Sequence, residues 1–163
     1  IEEMEQKIRA AVESRRDPAF LLIARTDSRA SEGIHGAIDR ARRYLDAGAD
    51  AVFPEALADH SEFELFRREI PVPLIANMTE FGKSELLDTE TLRDLGYNIV
   101  LYPVTTLRLA MRAVESGLLH LAREGSQRKL LDVMQPRKEL YELLDYESYA
   151  AFDRDVFNFS PPE

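Results

Sequence analysis

Cysteine is absent from this chain of 163 residues. Without a thiol, the chain cannot form a disulfide, bind a metal through thiolates or supply a thiol nucleophile. Its apolar runs fall far short of the roughly 20 residues that span a bilayer, and no signal-peptide pattern precedes the first helical segment. We therefore expect a cytoplasmic protein with no membrane partner.

Basic residues are outnumbered, with 21 Lys and Arg against 30 Asp and Glu and a net charge of −9. Nucleic-acid binding is disfavoured because phosphate neutralisation needs clustered Lys and Arg, and no basic stripe is present. Gly-rich phosphate loops, Ser-centred elbows and paired-carboxylate motifs are missing too. The three histidines, His35, His60 and His120, lie far apart in sequence and match no metal-binding spacing.

Short apolar runs alternate with amphipathic helical patterns along the chain. The runs occupy residues 20–24, 51–53, 72–76 and 99–102, and each is typical of a strand buried on both faces. Strands that alternate with helices predict a parallel sheet with right-handed crossovers. Strand ends at Ala24, Phe53, Ala76 and Leu101 are 29, 23 and 25 residues apart, which fits the repeat of a (β/α)8 barrel.

The helices between the runs have recognisable starts and stops. The apolar stripe of residues 34–47 predicts one helix, and Ser61 with Glu64 predicts a capping box for the next. Asp88 or Thr89 is expected to cap a third helix. Thr105 or Thr106 is expected to begin a long fourth one that runs to Ala122 and ends before Gly125.

After Tyr102 the pattern is helical to the end, over residues 105–123, 127–134 and 136–157. Four parallel strands do not close a barrel. The chain is therefore either a small open α/β sheet with extra C-terminal helices or the second half of a barrel. It opens at Ile1 directly in helical pattern, without an initiator Met, which is compatible with a piece of a longer protein.

Polar side chains follow the predicted strands, where sites form in parallel α/β folds. Arg25 suits a clamp on a carboxylate or phosphate, or a structural pair with Asp27 or Glu55. Glu55 is either that partner or a group near a cation or a substrate hydroxyl. Asn77 and Thr79 offer neutral donors, or stabilise the turn locally.

Arg108 falls in the first turn of a predicted helix, where the macrodipole favours acidic residues. A cation at that position indicates an anionic partner, although a solvated surface arginine fits the pattern equally well. The aromatic residues near the C-terminus follow helical spacing. They are more typical of a subunit contact than of a cofactor site.

Taken together, five strings resemble the isocitrate lyase/phosphoenolpyruvate mutase superfamily, and within it the methylisocitrate lyase family. They are IARTDS (23–28), RARRYLDAGADAVFPEA (40–56), PLIANMTEFG (73–82), LYPVTTLRLAMRA (101–113) and MQPRKELYELLDYESYAAFD (134–153). ARTD is shared across the superfamily. TEFG and MQPRKELYELLDY are the strings that indicate methylisocitrate lyases.

The resemblance implies a (β/α)8 TIM barrel of which this chain is the C-terminal half, with four parallel strands followed by C-terminal helices. It implies cleavage of the tricarboxylate 2-methylisocitrate to pyruvate and succinate in the methylcitrate cycle of propionate catabolism. Matching motifs suggest the substrate-binding residues Arg25, Glu55, Asn77, Thr79, Arg108 and Arg137. Arg137 has no sequence signal apart from the resemblance.

The family's cysteine loop and its Mg2+-binding aspartates precede the part of the family to which this chain corresponds. The resemblance therefore places no catalytic residue and no metal ligand in this chain, which alone is expected to be inactive. Mg2+ and the N-terminal half of the barrel are expected partners. A homotetramer is expected to assemble through the C-terminal helices.

The sequence predicts a division into residues 1–125, the second half of the barrel, and residues 126–163, a helical extension that packs on a neighbouring subunit. Two alternatives to the lyase assignment stay open. One is another member of the superfamily, such as a phosphonomutase or an oxaloacetate decarboxylase-like lyase. The other is a non-catalytic half-barrel that only binds or assembles.

Overall fold

The computed structural model describes residues 1–158 and consists of two compact units, Ile1–Leu109 and the part from Ala110 onward. The first unit alternates helices and strands. Its elements are α1 (Glu2–Ser14), β1 (Ile23–Thr26), α2 (Arg29–Asp46), β2 (Ala51–Pro54), α3 (His60–Glu69), β3 (Ile75–Asn77), α4 (Thr89–Asp94) and β4 (Ile99–Leu101). The fifth helix, α5 (Thr105–Glu124), begins in the first unit and continues in the second.

All strand pairs are parallel, as the alternation of strands and helices predicted. Strand β1 pairs with β2 from Ile23 opposite Ala51 to Thr26 opposite Pro54, and β3 pairs with β4 over three positions. A single bridge between Val52 and Leu74 joins the two pairs. The carboxyl ends of the strands therefore lie along one edge in the order β1, β2, β3, β4.

The core of the first unit lies between this sheet and helices α2, α3 and α4. Phe63, Phe66 and Leu92 are fully buried there, together with Val52 of β2. Tyr97 packs its ring 5.4 Å from that of Phe63 and donates its hydroxyl to the carbonyl of Phe63. Burial raises the pKa of this phenol well above its usual value, so the hydroxyl stays protonated as a donor.

The expectation of strands buried on both faces is wrong for the two outer strands. Phe20 and Leu21 precede β1 and are exposed, residues of β1 alternate between exposed and buried positions, and β4 has no buried residue. The inner strands β2 and β3 are mostly buried. Each outer strand has a paired neighbour on one side only among residues 1–158.

Helix starts follow the predicted signals with one correction. Asp59, not Ser61, caps α3, because its carboxylate accepts the N–H of Glu62. Asp88 caps α4, as one of the two predicted alternatives. Gly48 and Gly96 adopt φ values of 106° and 90° after α2 and α4, a conformation that glycine reaches without steric cost.

The second unit contains the rest of α5, a 3₁₀ helix (Arg128–Val133), α6 (Arg137–Leu143) and α7 (Tyr146–Phe157). The single helix predicted for residues 136–157 is wrong, because Asp145 adopts a left-handed conformation with φ of 49° between α6 and α7. The helices of this unit contain no buried residue within the described chain. None of the helices up to residue 158 is long and apolar enough to cross a membrane. The division at residues 125 and 126 stays a prediction.

Candidate functional site

Polar side chains from successive strands meet at the carboxyl edge of the sheet. Arg25 lies within β1, Glu55 directly follows β2 and Asn77 ends β3. Because β1, β2 and β3 are neighbours, Glu55 comes within contact distance of both Arg25 and Asn77. The strand-end rule that selected them from the sequence therefore identifies a real cluster.

Arg25 is held by two carboxylates and an aromatic ring. Its Nε and Nη2 atoms donate to the two carboxylate oxygens of Asp27 over 2.9 and 2.8 Å, and Nη2 lies 3.2 Å from Oε2 of Glu55. The guanidinium carbon lies 5.0 Å from the ring centre of Phe53. The hydrogen bond from Arg25 lowers the pKa of the Asp27 carboxyl, and the same bond raises the pKa of Arg25.

Glu55 links Arg25 to Asn77. The amide of Asn77 donates to Oε2 of Glu55 over 3.2 Å, and the carboxylate of Glu55 is only 19% exposed. Oδ1 of Asn77 is buried and has no hydrogen-bond partner within residues 1–158. A buried acceptor of this kind is rare in proteins, and it identifies a position where a donor from a ligand would be favoured.

Arg108 lies in the first turn of α5, next to the loop that follows β3. Its Nε atom lies 3.5 Å from Oε2 of Glu80, and its guanidinium carbon lies 5.0 Å from the ring centre of Phe81. The hydroxyl of Thr105 donates to Oε1 of Glu80. This hydrogen bond is the main reason that the pKa of Glu80 is lowered, so the carboxylate is ionised beside Arg108.

The remaining two predicted residues are placed differently. Thr79 lies half-buried in the loop after β3, where a Cβ atom at Gly82 would come within 3.0 Å of its Cγ2. Glycine therefore permits the tight turn that carries Thr79 and Glu80. Arg137 is the first residue of α6 in the second unit and is exposed.

A second ion pair supports the loops that follow β1 and β2. Arg29 donates through Nε and Nη2 to both carboxylate oxygens of Glu62, each over 2.8 Å. Glu62 also accepts the backbone N–H of Ala58 over 2.7 Å. The bond from Arg29 lowers the pKa of Glu62. The pair thus ties the start of α2 to the loop after β2.

Sequence reasoning missed two residues of this edge. Glu80 and Phe81 lie in the TEFG string, but neither is among the predicted site residues. The signal that could have found Glu80 was the charge of Arg108, which required an anion near the helix start. The structure provides that anion from within the chain.

The described residues do not fit a magnesium site by themselves. Within residues 1–158, no three His, Asp or Glu side chains converge in a way that could hold a metal ion. The edge provides guanidinium, amide and hydroxyl donors and the three acidic acceptors Asp27, Glu55 and Glu80, a set suited to orienting a small polycarboxylate.

A parallel α/β sheet with charged and polar side chains at its carboxyl edge is the arrangement of α/β proteins that place their sites at the strand ends. The sequence pattern of the phosphoenolpyruvate phosphomutase family matches residues 1–122. The chain therefore belongs to the phosphoenolpyruvate phosphomutase family.

Curated relatives are similar over nearly the whole chain. A probable 2-methylisocitrate lyase 2 of Corynebacterium glutamicum is 54% identical over 157 residues, which are 96% of this chain and 51% of that protein. The 2-methylisocitrate lyase of Bacillus subtilis is 47% identical over 156 residues, again 96% of this chain and 51% of that protein. The chain thus spans about half the length of the curated relatives that it matches.

Solved structures support the same fold. Oxaloacetate acetylhydrolase in complex with oxalate superposes with a TM-score of 0.82 at 29% identity, over 95% of this chain and 54% of that one. Phosphonopyruvate hydrolase in complex with oxalate and Mg2+ superposes with a TM-score of 0.76 at 27% identity, over 94% of this chain and 55% of that one.

Proposed function

We propose that this chain forms half of a methylisocitrate lyase that cleaves 2-methylisocitrate to pyruvate and succinate. The observation that carries the proposal is the 54% identity to a probable 2-methylisocitrate lyase over 96% of the chain. In this proposal the four parallel strands are half of a (β/α)8 barrel, and another polypeptide segment supplies the other four. We use "complete enzyme" for this chain together with that segment.

The chain's own residues bind and orient the substrate in this proposal. Arg25, Arg108 and Arg137 neutralise carboxylates, and Asn77 and Thr79 contribute neutral donors. Glu55, already bonded to Arg25 and Asn77, accepts a hydrogen bond from a substrate hydroxyl. Fixed donors around a polyanion lower the barrier mainly through positioning and electrostatic stabilisation.

The base that deprotonates the hydroxyl and the acid that protonates the succinate carbanion come from the other segment, as does the Mg2+ site. The chain has no cysteine, and its described residues form no metal cluster. The proposal further assigns the assembly of a tetramer to the C-terminal helices, whose apolar side chains are largely exposed in this chain.

A substrate screen of the complete enzyme tests the proposal. Release of pyruvate and succinate from methylisocitrate, stopped by EDTA and restored by Mg2+, is the expected result. Faster turnover of oxaloacetate or phosphonopyruvate would instead support another activity of the superfamily. Absence of carbon–carbon cleavage with every substrate would leave only a binding or assembly role.

A second experiment tests the half-barrel. Residues 1–163 produced alone should be inactive and prone to aggregation, because the outer strands β1 and β4 present unpaired edges. Production together with the N-terminal half of the C. glutamicum relative should restore solubility and cleavage. A soluble monomer that unfolds cooperatively without the other half would contradict the proposal.

A further inference from the structure

Arg108 occupies a position that is unfavourable for a cation unless an anion compensates it. It lies in the first turn of α5, where the aligned peptide dipoles leave a partial positive charge. Glu80 is the only carboxylate within 4.0 Å of the Arg108 guanidinium in the described part of the chain. The two residues are 28 positions apart, so the fold rather than local sequence brings them together.

Glu80 is itself held in place at one oxygen and free at the other. Oε1 accepts the hydrogen bond from the Thr105 hydroxyl at the start of α5. Oε2 is buried and has no hydrogen-bond partner within residues 1–158, although Nε of Arg108 lies only 3.5 Å away. A buried carboxylate oxygen without a hydrogen bond is costly, so a small movement of Arg108 onto Oε2 is favoured.

That contact would use only one of the nitrogens of Arg108. A guanidinium presents five N–H donors in a planar fork, and its Nε and terminal groups can serve two different acceptors. The ring of Phe81 lies 5.0 Å from the guanidinium carbon, within the range of a cation–π contact. No carboxylate other than that of Glu80 lies within 4.0 Å of the Arg108 guanidinium among the described residues, and Glu80 is nearest to Nε. The terminal nitrogens are available to a bidentate ligand.

We infer that Glu80 is a positioning residue for substrate binding. Its carboxylate, held by the Thr105 hydroxyl, fixes Nε of Arg108 so that the two terminal nitrogens bind one carboxylate of the substrate. The inference rests on the proposed function, in which Arg108 binds a carboxylate. The inference covers a wider class of ligands than methylisocitrate, because any substrate with a carboxylate at this position would use the same two terminal nitrogens of Arg108.

Kinetics of four variants of the complete enzyme test the inference. Glu80→Gln should raise KM by roughly tenfold and change kcat little, because it loosens an arginine that binds ground state and transition state alike. Thr105→Val should act in the same direction by about threefold, and Thr105→Ser, which keeps the hydroxyl, should resemble the wild type. Glu3→Gln removes the carboxylate of an exposed ion pair with Lys7 on α1 and serves as the matched control.

A double-variant comparison separates positioning from a structural role. If Glu80 acts through Arg108, then Glu80→Gln should have no further effect on KM in the Arg108→Lys background, since lysine has no fork to direct. Additive losses would overturn the inference. So would a lowered melting temperature of Glu80→Gln without a change in KM, or a Thr105→Ser enzyme as impaired as Thr105→Val.

A substrate-free measurement keeps the inference apart from the proposed function. The NMR resonance of the Arg108 Nε–H group, identified by its loss in Arg108→Lys, should move in Glu80→Gln and stay unchanged in Glu3→Gln. An unchanged resonance in Glu80→Gln overturns the inference whatever the enzyme cleaves. Failure of the wild type to cleave methylisocitrate overturns the proposed function, and the variants are then measured on oxaloacetate or phosphonopyruvate, whichever is turned over.

Discussion

Arg25 and Arg108 have similar surroundings, but the carboxylates of the chain occupy their guanidinium groups to different degrees. Each guanidinium carbon lies 5.0 Å from the ring centre of a phenylalanine, and about half of each side chain is exposed. Arg25 is bonded through Nε and Nη2 to Asp27 and paired with Glu55, whereas Arg108 has one carboxylate, at 3.5 Å from Nε. An internal carboxylate thus already occupies the fork of Arg25, while the fork of Arg108 is open.

Because of this difference, the two guanidinium groups would bind a substrate carboxylate in different ways. Arg25 with Asp27 and Glu55 carries a net charge of −1, and Arg108 with Glu80 is neutral. A substrate carboxylate can bind the terminal nitrogens of Arg108 directly. At Arg25 it must compete with Asp27, whose bond to the guanidinium lowers its own pKa and keeps it charged. Four predictions test this contrast.

The largest effect is expected for Arg108→Gln in the complete enzyme. This substitution removes the open fork and leaves Glu80 without its cation, so kcat/KM for methylisocitrate should fall about a hundredfold, mainly through KM. Steady-state kinetics with coupled detection of pyruvate would measure it. A loss of about threefold or less would show that Arg108 does not bind the substrate.

Arg25→Lys should lower kcat/KM by about tenfold, because lysine cannot reproduce the fork that serves both Asp27 and a substrate carboxylate. Arg16→Lys changes an exposed arginine of the loop before β1 and is the matched control. If Arg25→Lys keeps both the kinetics and the stability of the wild type, then neither the ion pair nor substrate binding needs a guanidinium at this position.

Glu62→Gln tests the Arg29–Glu62 ion pair, which supports the loops that follow β1 and β2. We expect a loss of about 1 kcal/mol in the free energy of unfolding, because Arg29 and the N–H of Ala58 lose a charged acceptor. The exposed Glu64→Gln on the same helix should be neutral.

The effect of Glu62→Gln should also depend on pH in a defined direction. The pKa of Glu62 is lowered in the folded chain, so the carboxylate stabilises the fold above its unfolded pKa of about 4.3 and loses this effect as pH falls through the folded value. Chemical unfolding at pH 7 and near pH 3 would measure the change. A difference between wild type and variant that grows on acidification would contradict the prediction.

The smallest effect is expected for Asp27→Asn. Removing the internal carboxylate frees the fork of Arg25 for the substrate, so KM should decrease by about threefold. Isothermal titration with succinate would report the same change without turnover. If KM rises, Asp27 aligns Arg25 rather than competing with the substrate, and the contrast between the two arginines is weaker than described.

Periodicity and local chemistry predicted most of the first unit. The four strands, their parallel pairing and the cap at Asp88 follow from patterns in short stretches of sequence, and the structure confirms them. The partnership of Arg25 with Asp27 was visible for the same reason, because the two residues are two positions apart. The roles of the six proposed substrate-binding residues stay predictions.

Features that depend on distant segments could not be predicted in the same way. Glu80 meets Arg108 across 28 residues and Arg29 meets Glu62 across 33, so only the folded backbone defines these pairs. The break between α6 and α7 was missed because no glycine or proline marks it. Asp145 adopts the left-handed conformation instead, which aspartate tolerates better than most residues.

A single β-bridge, between Val52 and Leu74, joins the β1–β2 pair to the β3–β4 pair. Each pair is therefore bonded more extensively within itself than to the other pair, and the sheet has a weak division between β2 and β3. The Asn77–Glu55 hydrogen bond crosses this division at the site itself. Among the buried amides of the sheet, those along the division are therefore expected to exchange first with solvent deuterium. A ligand that bridges Arg25 and Asn77 would fasten the two pairs together, so that binding at the edge would slow exchange along the length of β2 and β3.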